Sequence, residues 1–187
     1  TPNDYVYFDY YQSADKEQEP MAMGSCITVE KVYNFEPVAD ELADEEKKHI
    51  TRNILEALPD WFGIPEAREE YIHDSMKNVF FCALENEKKV GFLYLKPTGK
   101  DTVEIAVMGV LKEYHRKGIG KALFESAKKK VKENGYSFIQ VKTVQMGKYE
   151  DYDNTNRFYI SLGFKELEVF PTLWDEWNPC QIYVMAV

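Results

Sequence analysis

The feature that most constrains this chain is a strand, a glycine turn and a helix written consecutively in residues 101–133. Residues 103–110 are apolar and rich in β-branched side chains, which is typical of a buried strand. A polar turn then leads to Gly118-Ile119-Gly120. Beyond it, apolar residues recur at the spacing of one helix face: Leu123, Ala127 and Val131. The sequence therefore predicts a strand that passes through a glycine turn into an amphipathic helix.

Such a turn presents the first backbone N–H groups of the helix, which have no partner inside the helix. The helix dipole adds partial positive charge at the same end. Arg116, Lys117 and Lys121 add full charges. These features favour an anion, most naturally a phosphate or pyrophosphate. The alternative is an ordinary strand-to-helix turn with solvated lysines.

Two common nucleotide motifs do not fit this turn. A Walker loop would need glycine at His115 and a hydroxyl residue at Ala122. A dinucleotide fingerprint would need a third glycine at Leu123. Both motifs are excluded.

The turn instead resembles the acetyl-coenzyme A loop of the GNAT (GCN5-related N-acetyltransferase) superfamily. That loop reads Gln/Arg-x-x-Gly-x-Gly/Ala, and this chain has His115-Arg116-Lys117-Gly118-Ile119-Gly120, with His115 as the departure. A second segment, residues 156–164, is similar to the superfamily's Arg-Phe-Tyr-x-x-x-Gly-Phe. The resemblance covers roughly residues 27–187. It implies an α/β, single-domain GNAT fold: a central mixed, mostly antiparallel sheet, flanking helices, and a fourth and fifth strand (the family's β4/β5 pair) that splay apart.

The resemblance implies a division into a Tyr-rich appendage and linker at residues 1–25 and a GNAT domain at residues 26–187. The appendage is either an added strand, an arm that packs on a second subunit of a homodimer, or a flexible tail. Apolar patterning and turn residues predict strands at 27–33, 79–84, 89–95, 103–110, 137–144, 164–170 and 180–187. They predict helices at 44–58, 65–76, from 120 to about 133, and 154–162.

The resemblance also implies which residues hold the cosubstrate, acetyl-CoA. The backbone of the splayed strand would pair with its pantetheine arm at Met108, Gly109 and Val110. Gly109, inside an otherwise β-branched strand, fits a bulge or a close approach of other atoms to the backbone. The remaining contacts would come from the glycine turn and the second segment: His115, Arg116, Lys117, Gly118, Ile119, Gly120, Lys121, Asn154, Thr155 and Asn156.

Two residues are candidates for the chemistry. By resemblance, Tyr159 stands near the thioester sulfur. Since a phenol is protonated at neutral pH, it can give its proton to the departing thiolate. Glu104 on the central strand is a candidate base for the amine. The structural alternatives are a core tyrosine beside Phe158 and a solvated strand carboxylate.

Two loops combine tryptophan with carboxylates, and this pairing suits a cationic amine. The candidate substrate-binding residues are Asp60, Trp61, Phe62, Trp174 and Asp175. The alternative is that the tryptophans only close the edge of the core.

The resulting prediction is an acetyl-CoA-dependent N-acetyltransferase that moves an acetyl group to a primary amine by direct transfer. The acceptor would be a small cation, an amino sugar, or a peptide or protein amine. The alternative function is a non-catalytic acyl-CoA-binding sensor or interaction module.

Composition agrees with this reading. The net charge of −9 argues against a general nucleic-acid binder, which needs a basic face. The three cysteines and three histidines have no ligand spacing, so no metal site is predicted, and a reducing cytoplasm is expected. No apolar run approaches the ~20 residues of a membrane span, so no membrane partner is expected.

Overall fold

The computed structural model describes two strands near the N-terminus, Cys26–Glu30 and Asn34–Val38, and then residues 42–187. The predicted appendage at residues 1–25 lies outside the described residues. The elements in chain order are β1 (Cys26–Glu30), β2 (Asn34–Val38), α1 (Asp44–Glu56), α2 (Pro65–Ser75), β3 (Val79–Glu85), β4 (Lys88–Pro97), β5 (Thr102–Val110), α3 (Ile119–Glu133), β6 (Phe138–Val144), α4 (Glu150–Ser161), β7 (Lys165–Phe170) and β8 (Cys180–Ala186). A single 3-10 turn, Lys112–Tyr114, separates β5 from α3.

The strands form one sheet in the order β2-β1-β3-β4-β5-β6-β8-β7. Neighbouring strands are antiparallel except for the β1–β3 and β5–β6 pairs. The β5–β6 register covers only Thr102–Glu104 against Phe138–Gln140, although both strands continue beyond it. The predicted α/β class, the mostly antiparallel sheet and the splayed strand pair are therefore confirmed. We call the last paired residues, Glu104 and Gln140, the vertex of the splay.

The bulge in β5 lies at Ala106, not at Gly109. Tyr94 is opposite Val107 and Leu95 is opposite Ile105, which leaves Ala106 as the extra residue. Gly109 has a packing role instead. A Cβ there would lie 3.1 Å from Ile54 Cγ2 and about as close to Phe92 and Leu58, so the missing side chain makes room for helix α1. The expectation of a bulge at Gly109 was wrong, and the close approach to it comes from side chains of the core.

The sheet separates two hydrophobic cores. On one face, Leu123 and Ala127 of α3 pack with Phe158 of α4. On the other face, Ile54 of α1 and Ile72 of α2 pack against the sheet. Successive side chains along each strand point to opposite faces of the sheet and therefore pack alternately into the two cores. Helices therefore flank both faces, and the splay opens between them.

The clearest differences from the predictions are an additional strand and an earlier helix start. Strand β2 was missed because residues 34–38 contain Pro37 and little apolar patterning, and proline is tolerated on an edge strand such as this one. Helix α4 begins at Glu150 rather than at residue 154. Its first turn is acidic, which suits a helix N-terminus but hides the apolar period. Over the described part of the chain, no helix is long and apolar enough to cross a bilayer.

Candidate active site

The glycine turn connects the end of β5 to α3 through two residues with positive φ. Arg116 has φ +61° and Gly118 has φ +79°. A Cβ on Gly118 would meet nothing within 4 Å, so the backbone conformation, and not crowding, requires glycine there. The first helical hydrogen bond runs from the N–H of Ala122 to the carbonyl of Gly118, at 3.0 Å. The amides of residues 119–121 precede it, so this end of α3 has the donors that the anion site requires.

Basic side chains surround these amides. Arg116 and Lys121 are exposed, and Lys117 is half-buried with its Nζ 4.6 Å from the centre of the Tyr114 ring. The helix begins at Ile119, one residue earlier than expected, so Gly120 is a buried member of its first turn. The turn therefore combines helix amides with positive charge, as the sequence predicted.

His115, the departure from the superfamily's signature, holds the turn against the strand. Its Nε2 lies 2.6 Å from the carbonyl oxygen of Val110, and its ring makes an edge contact with Trp61 at 6.2 Å. Burial lowers the pKa of His115, so the imidazole is neutral at pH 7. Since a carbonyl only accepts, the Nε2–H must donate to Val110. His115 therefore ties the turn to the end of β5.

The free edge of β5 lies beyond the vertex. Leu111 donates its N–H to Val90 on the β4 side, at 2.9 Å. Because strand residues alternate, Gly109 also directs its backbone groups toward β4, whereas Met108 and Val110 direct theirs toward the gap. Of the three residues predicted to contact the pantetheine arm, Met108 and Val110 have the required orientation. Gly109 does not, because its N–H and carbonyl face β4.

Tyr159 is fully buried in the core between the sheet and helices α3 and α4. Its ring packs 5.3 Å from Phe158 and 5.7 Å from Phe164. Both Phe158 and Tyr159 are buried, as the alternative of a core tyrosine beside Phe158 requires. Met108 and Val110 belong to the same core, so the phenol shares a layer with the free edge of β5. Its role as an acid stays a prediction.

Glu104 lies at the vertex and is only 4% exposed. Its Oε2 accepts hydrogen bonds from Lys142 Nζ at 2.7 Å and from Gln140 Nε2 at 3.1 Å. The alternative of a solvated carboxylate is therefore wrong. The ion pair ties β5 to β6 where their backbones separate, and the role of Glu104 as a base stays a prediction.

The three residues of α4 expected to contact the cosubstrate all form hydrogen bonds within the chain, which are buried for Asn156, partly buried for Thr155 and at the surface for Asn154. The Nδ2 of Asn156 donates to the carbonyls of Val144 and Tyr152, and its Oδ1 accepts from Tyr183. Thr155 is buried and donates to its own helix backbone, and Asn154 accepts from Arg157. Asn156 thus ties α4 to β6 and β8. This placement favours a structural role for it over a cosubstrate contact.

An aromatic cavity of about 450 Å³ opens between the α1–α2 connection, the end of β6, the start of α4 and the β7–β8 connection. It brings together three of the predicted acceptor residues, Asp60, Trp61 and Trp174, and both tryptophans are nearly buried. We refer to it as the aromatic cavity. Its lining residues are Pro59, Asp60, Trp61, Gly63, Ile64, Val144, Tyr149, Asp151, Tyr152, Trp174 and Asn178.

Two predicted acceptor residues do not line the cavity. Phe62 is buried in the core of the α1–α2 face, with its ring edge-on to Tyr71. Asp175 caps its own loop by accepting from the backbone amides of Trp177 and Asn178 at 2.7 and 2.8 Å. Although burial disfavours its charge, these hydrogen bonds and one from the Asn178 side chain hold the pKa of Asp175 below its ordinary value. The carboxylate of Asp175 therefore stabilises the conformation of its own loop.

Sequence reasoning missed the wall contributed by α4. Tyr149 and Tyr152 line the cavity with ring centres 5.9 Å apart, and the Tyr152 hydroxyl donates to the carbonyl of Trp61 at 3.4 Å. Burial raises the pKa of Tyr152, so this phenol remains a donor. The signal was the three-residue spacing of the tyrosines, which places them on one side of a helix. The acidic residues of the first turn hide the helical period at this position.

The fold places a glycine turn, with the first amides of α3, beside a splayed strand pair. Residues 76–166, from the end of α2 to the start of β7, match the family model described as an acetyltransferase (GNAT) domain. Residues 76–166 therefore belong to a GNAT acetyltransferase domain.

Solved structures agree with this assignment at the level of the fold. A protein described as a GNAT-family acetyltransferase from Desulfovibrio desulfuricans matches at TM-score 0.64 and 20% identity, covering 74% of this chain and 91% of that one. An aminoglycoside 6'-N-acetyltransferase complexed with coenzyme A matches at TM-score 0.63 and 20% identity, covering 74% and 89%. A GNAT acetyltransferase from Elizabethkingia anophelis with acetyl-CoA bound matches at TM-score 0.59 and 18% identity, covering 73% and 90%. No curated protein sequence gives a significant match.

Proposed function

We propose that this protein is an acetyl-CoA-dependent N-acetyltransferase that moves an acetyl group directly to a primary amine. The observation that carries the proposal is the glycine turn, where the amides of residues 119–121 stand at the end of a strand with a free edge. Phosphate groups suit the amides and the charges of Arg116 and Lys121. An extended amide-containing arm suits the backbone groups that Met108 and Val110 direct into the gap. Similar folds crystallised with coenzyme A or acetyl-CoA support the choice of ligand.

The proposed reaction joins the amine nitrogen to the thioester carbon and breaks the carbon–sulfur bond. The amine must lose a proton to attack, and the thiolate must gain one as it leaves. Tyr159 is the proposed donor to the thiolate, because a phenol inside an apolar layer remains protonated. Glu104 is the proposed acceptor of the amine proton through a water molecule, with Lys142 and Gln140 fixing its carboxylate.

The proposal extends to location. Among the described residues, Cys82 and Cys180 are buried free thiols, which suits a reducing cytoplasm. Assembly as a homodimer through residues 1–25 remains a separate prediction.

The experiment is a release assay for free thiol, run with acetyl-CoA and a panel of amines, together with calorimetry of acetyl-CoA binding. We expect saturable binding and thiol release that depends on one class of amine. Binding without thiol release from any amine would contradict catalysis and favour the acyl-CoA sensor. The absence of binding would contradict the whole proposal.

A further inference from the structure

The aromatic cavity has an uneven charge distribution. Two carboxylates line it, Asp60 and Asp151. Asp60 already forms a salt bridge with Lys112, whose Nζ also lies 5.2 Å from the centre of the Trp61 ring. Within the part of the chain that the structure describes, Asp151 has no ion pair. A cation that enters the cavity therefore finds one uncompensated carboxylate.

The rest of the wall is apolar and aromatic. Trp61, Trp174 and Tyr152 are each less than a tenth exposed, and Tyr149 continues the wall toward solvent. Aromatic faces attract cations and stack on flat apolar groups. Ile64, Val144 and Pro59 add aliphatic surface. The only side-chain amide on the wall, that of Asn178, donates to Asp175.

This wall discriminates between amine classes. An amino sugar carries many hydroxyl groups, and each one that is buried without a hydrogen-bond partner weakens binding. A polyamine carries several charges, and one uncompensated carboxylate cannot match them. An amine on an apolar body leaves no polar group unsatisfied, and a cavity of about 450 Å³ is in the range of small-molecule sites.

We infer that the acceptor is a primary amine attached to an apolar, preferably aromatic, body, and that Asp151 is the carboxylate that selects its positive charge. The inference rests on the proposed function, since it names the acceptor of that reaction. It separates this chain from the aminoglycoside acetyltransferases that share its fold.

The test is calorimetry of amine binding to the full chain saturated with coenzyme A, where no acetyl group can be transferred. The probes are 2-phenylethylamine, its uncharged analogue 2-phenylethanol, spermidine and kanamycin. We expect 2-phenylethylamine to bind at least tenfold more tightly than each of the other three. Tighter binding of spermidine or kanamycin would overturn the inference.

A matched pair of variants tests Asp151. Asp151→Asn and Glu150→Gln each remove one negative charge from the first turn of α4, so they weaken the helix dipole interaction alike. Both residues are exposed, and only Asp151 lines the cavity. We expect Asp151→Asn to weaken 2-phenylethylamine binding at least fivefold and to raise its KM with kcat unchanged, while Glu150→Gln stays within twofold. Equal behaviour of the two variants would overturn the role of Asp151.

The inference and the proposed function can fail separately. If 2-phenylethylamine binds selectively but is never acetylated, the preference of the cavity for a charged amine on an apolar body stands, and the proposed reaction falls together with the acceptor role. If kanamycin or spermidine is acetylated with the higher kcat/KM, the reaction stands and the inference on the acceptor falls.

Discussion

The glycine turn and the aromatic cavity are built in opposite ways. The turn uses backbone groups of consecutive residues, because positive φ at Arg116 and Gly118 aims the first amides of α3 outward. The cavity uses side chains from four separate segments, which meet only in the folded chain. Under the proposed function, the comparison implies that cosubstrate binding depends on local sequence, whereas the choice of acceptor depends on tertiary packing. Variants can separate the two.

The largest expected effect is on the chemical step, which belongs to neither region. Tyr159→Phe removes one hydroxyl from a fully buried ring and keeps its packing. We expect kcat to fall about 100- to 1000-fold, in the range of lost acid catalysis, with both KM values little changed. Steady-state kinetics at saturating acetyl-CoA measures this. A kcat within threefold of wild type would remove Tyr159 from the mechanism.

The next largest effect on kcat is expected for a substitution at the vertex. Glu104→Gln should lower kcat about 100-fold at neutral pH if the carboxylate is the base. The loss should shrink as pH rises, since the free amine then deprotonates in solution. Lys142→Met is the companion variant, because it removes the ion pair of the buried Glu104 carboxylate and should lower the stability of the fold. A pH-independent loss in Glu104→Gln would reduce the residue to a structural tie between β5 and β6.

Asn156 sharpens the comparison by testing a residue that the sequence assigned to the cosubstrate. Asn156→Leu keeps the volume and removes three buried hydrogen bonds. We expect the free energy of unfolding to fall by about 2 kcal/mol or more, measured by urea denaturation. The KM for acetyl-CoA should stay within twofold at a temperature where the variant is folded. A large rise in that KM would return Asn156 to the cosubstrate site.

Gly118→Ala tests the glycine turn directly. Alanine must adopt φ +79°, which costs on the order of 1 kcal/mol and moves the amides out of position. We expect roughly a tenfold weaker acetyl-CoA affinity, with amine binding to the cavity unchanged. Gly99→Ala is the matched control, because a Cβ there also meets nothing within 4 Å, and φ at Gly99 is not positive. Equal affinity in the two variants would show that the left-handed turn is unimportant.

The smallest effect concerns Asp175. The pKa of Asp175 is lowered in the folded state. Its carboxylate therefore stabilises the fold when the pH is above the ordinary pKa of about 3.9. This stabilisation is lost as the pH falls through the pKa of the folded state. Asp175→Asn should therefore lower the melting temperature at pH 7, and the difference from wild type should vanish toward pH 2. The KM for the amine should not change. A rise in that KM would place Asp175 in the acceptor site after all.

The same contrast explains what the sequence could predict. The strand, turn and helix around Gly118 are adjacent in the chain and were recovered within one residue. Trp61 and Trp174 were chosen by composition, and both line the cavity. Asp151 and Tyr152 were missed because an acidic first turn masks the helical period of α4. The short side chain of Asp175 was assigned to substrate because sequence does not show that its own loop occupies it.

The central claim is that the amides at the start of α3 bind the phosphates of coenzyme A. Two-dimensional amide NMR of the ¹⁵N-labelled protein, titrated with coenzyme A, tests it directly. The account predicts that the amide signals of Ile119, Gly120 and Lys121 shift most and saturate together. Saturating shifts that lie elsewhere and leave these three amides unmoved would contradict it.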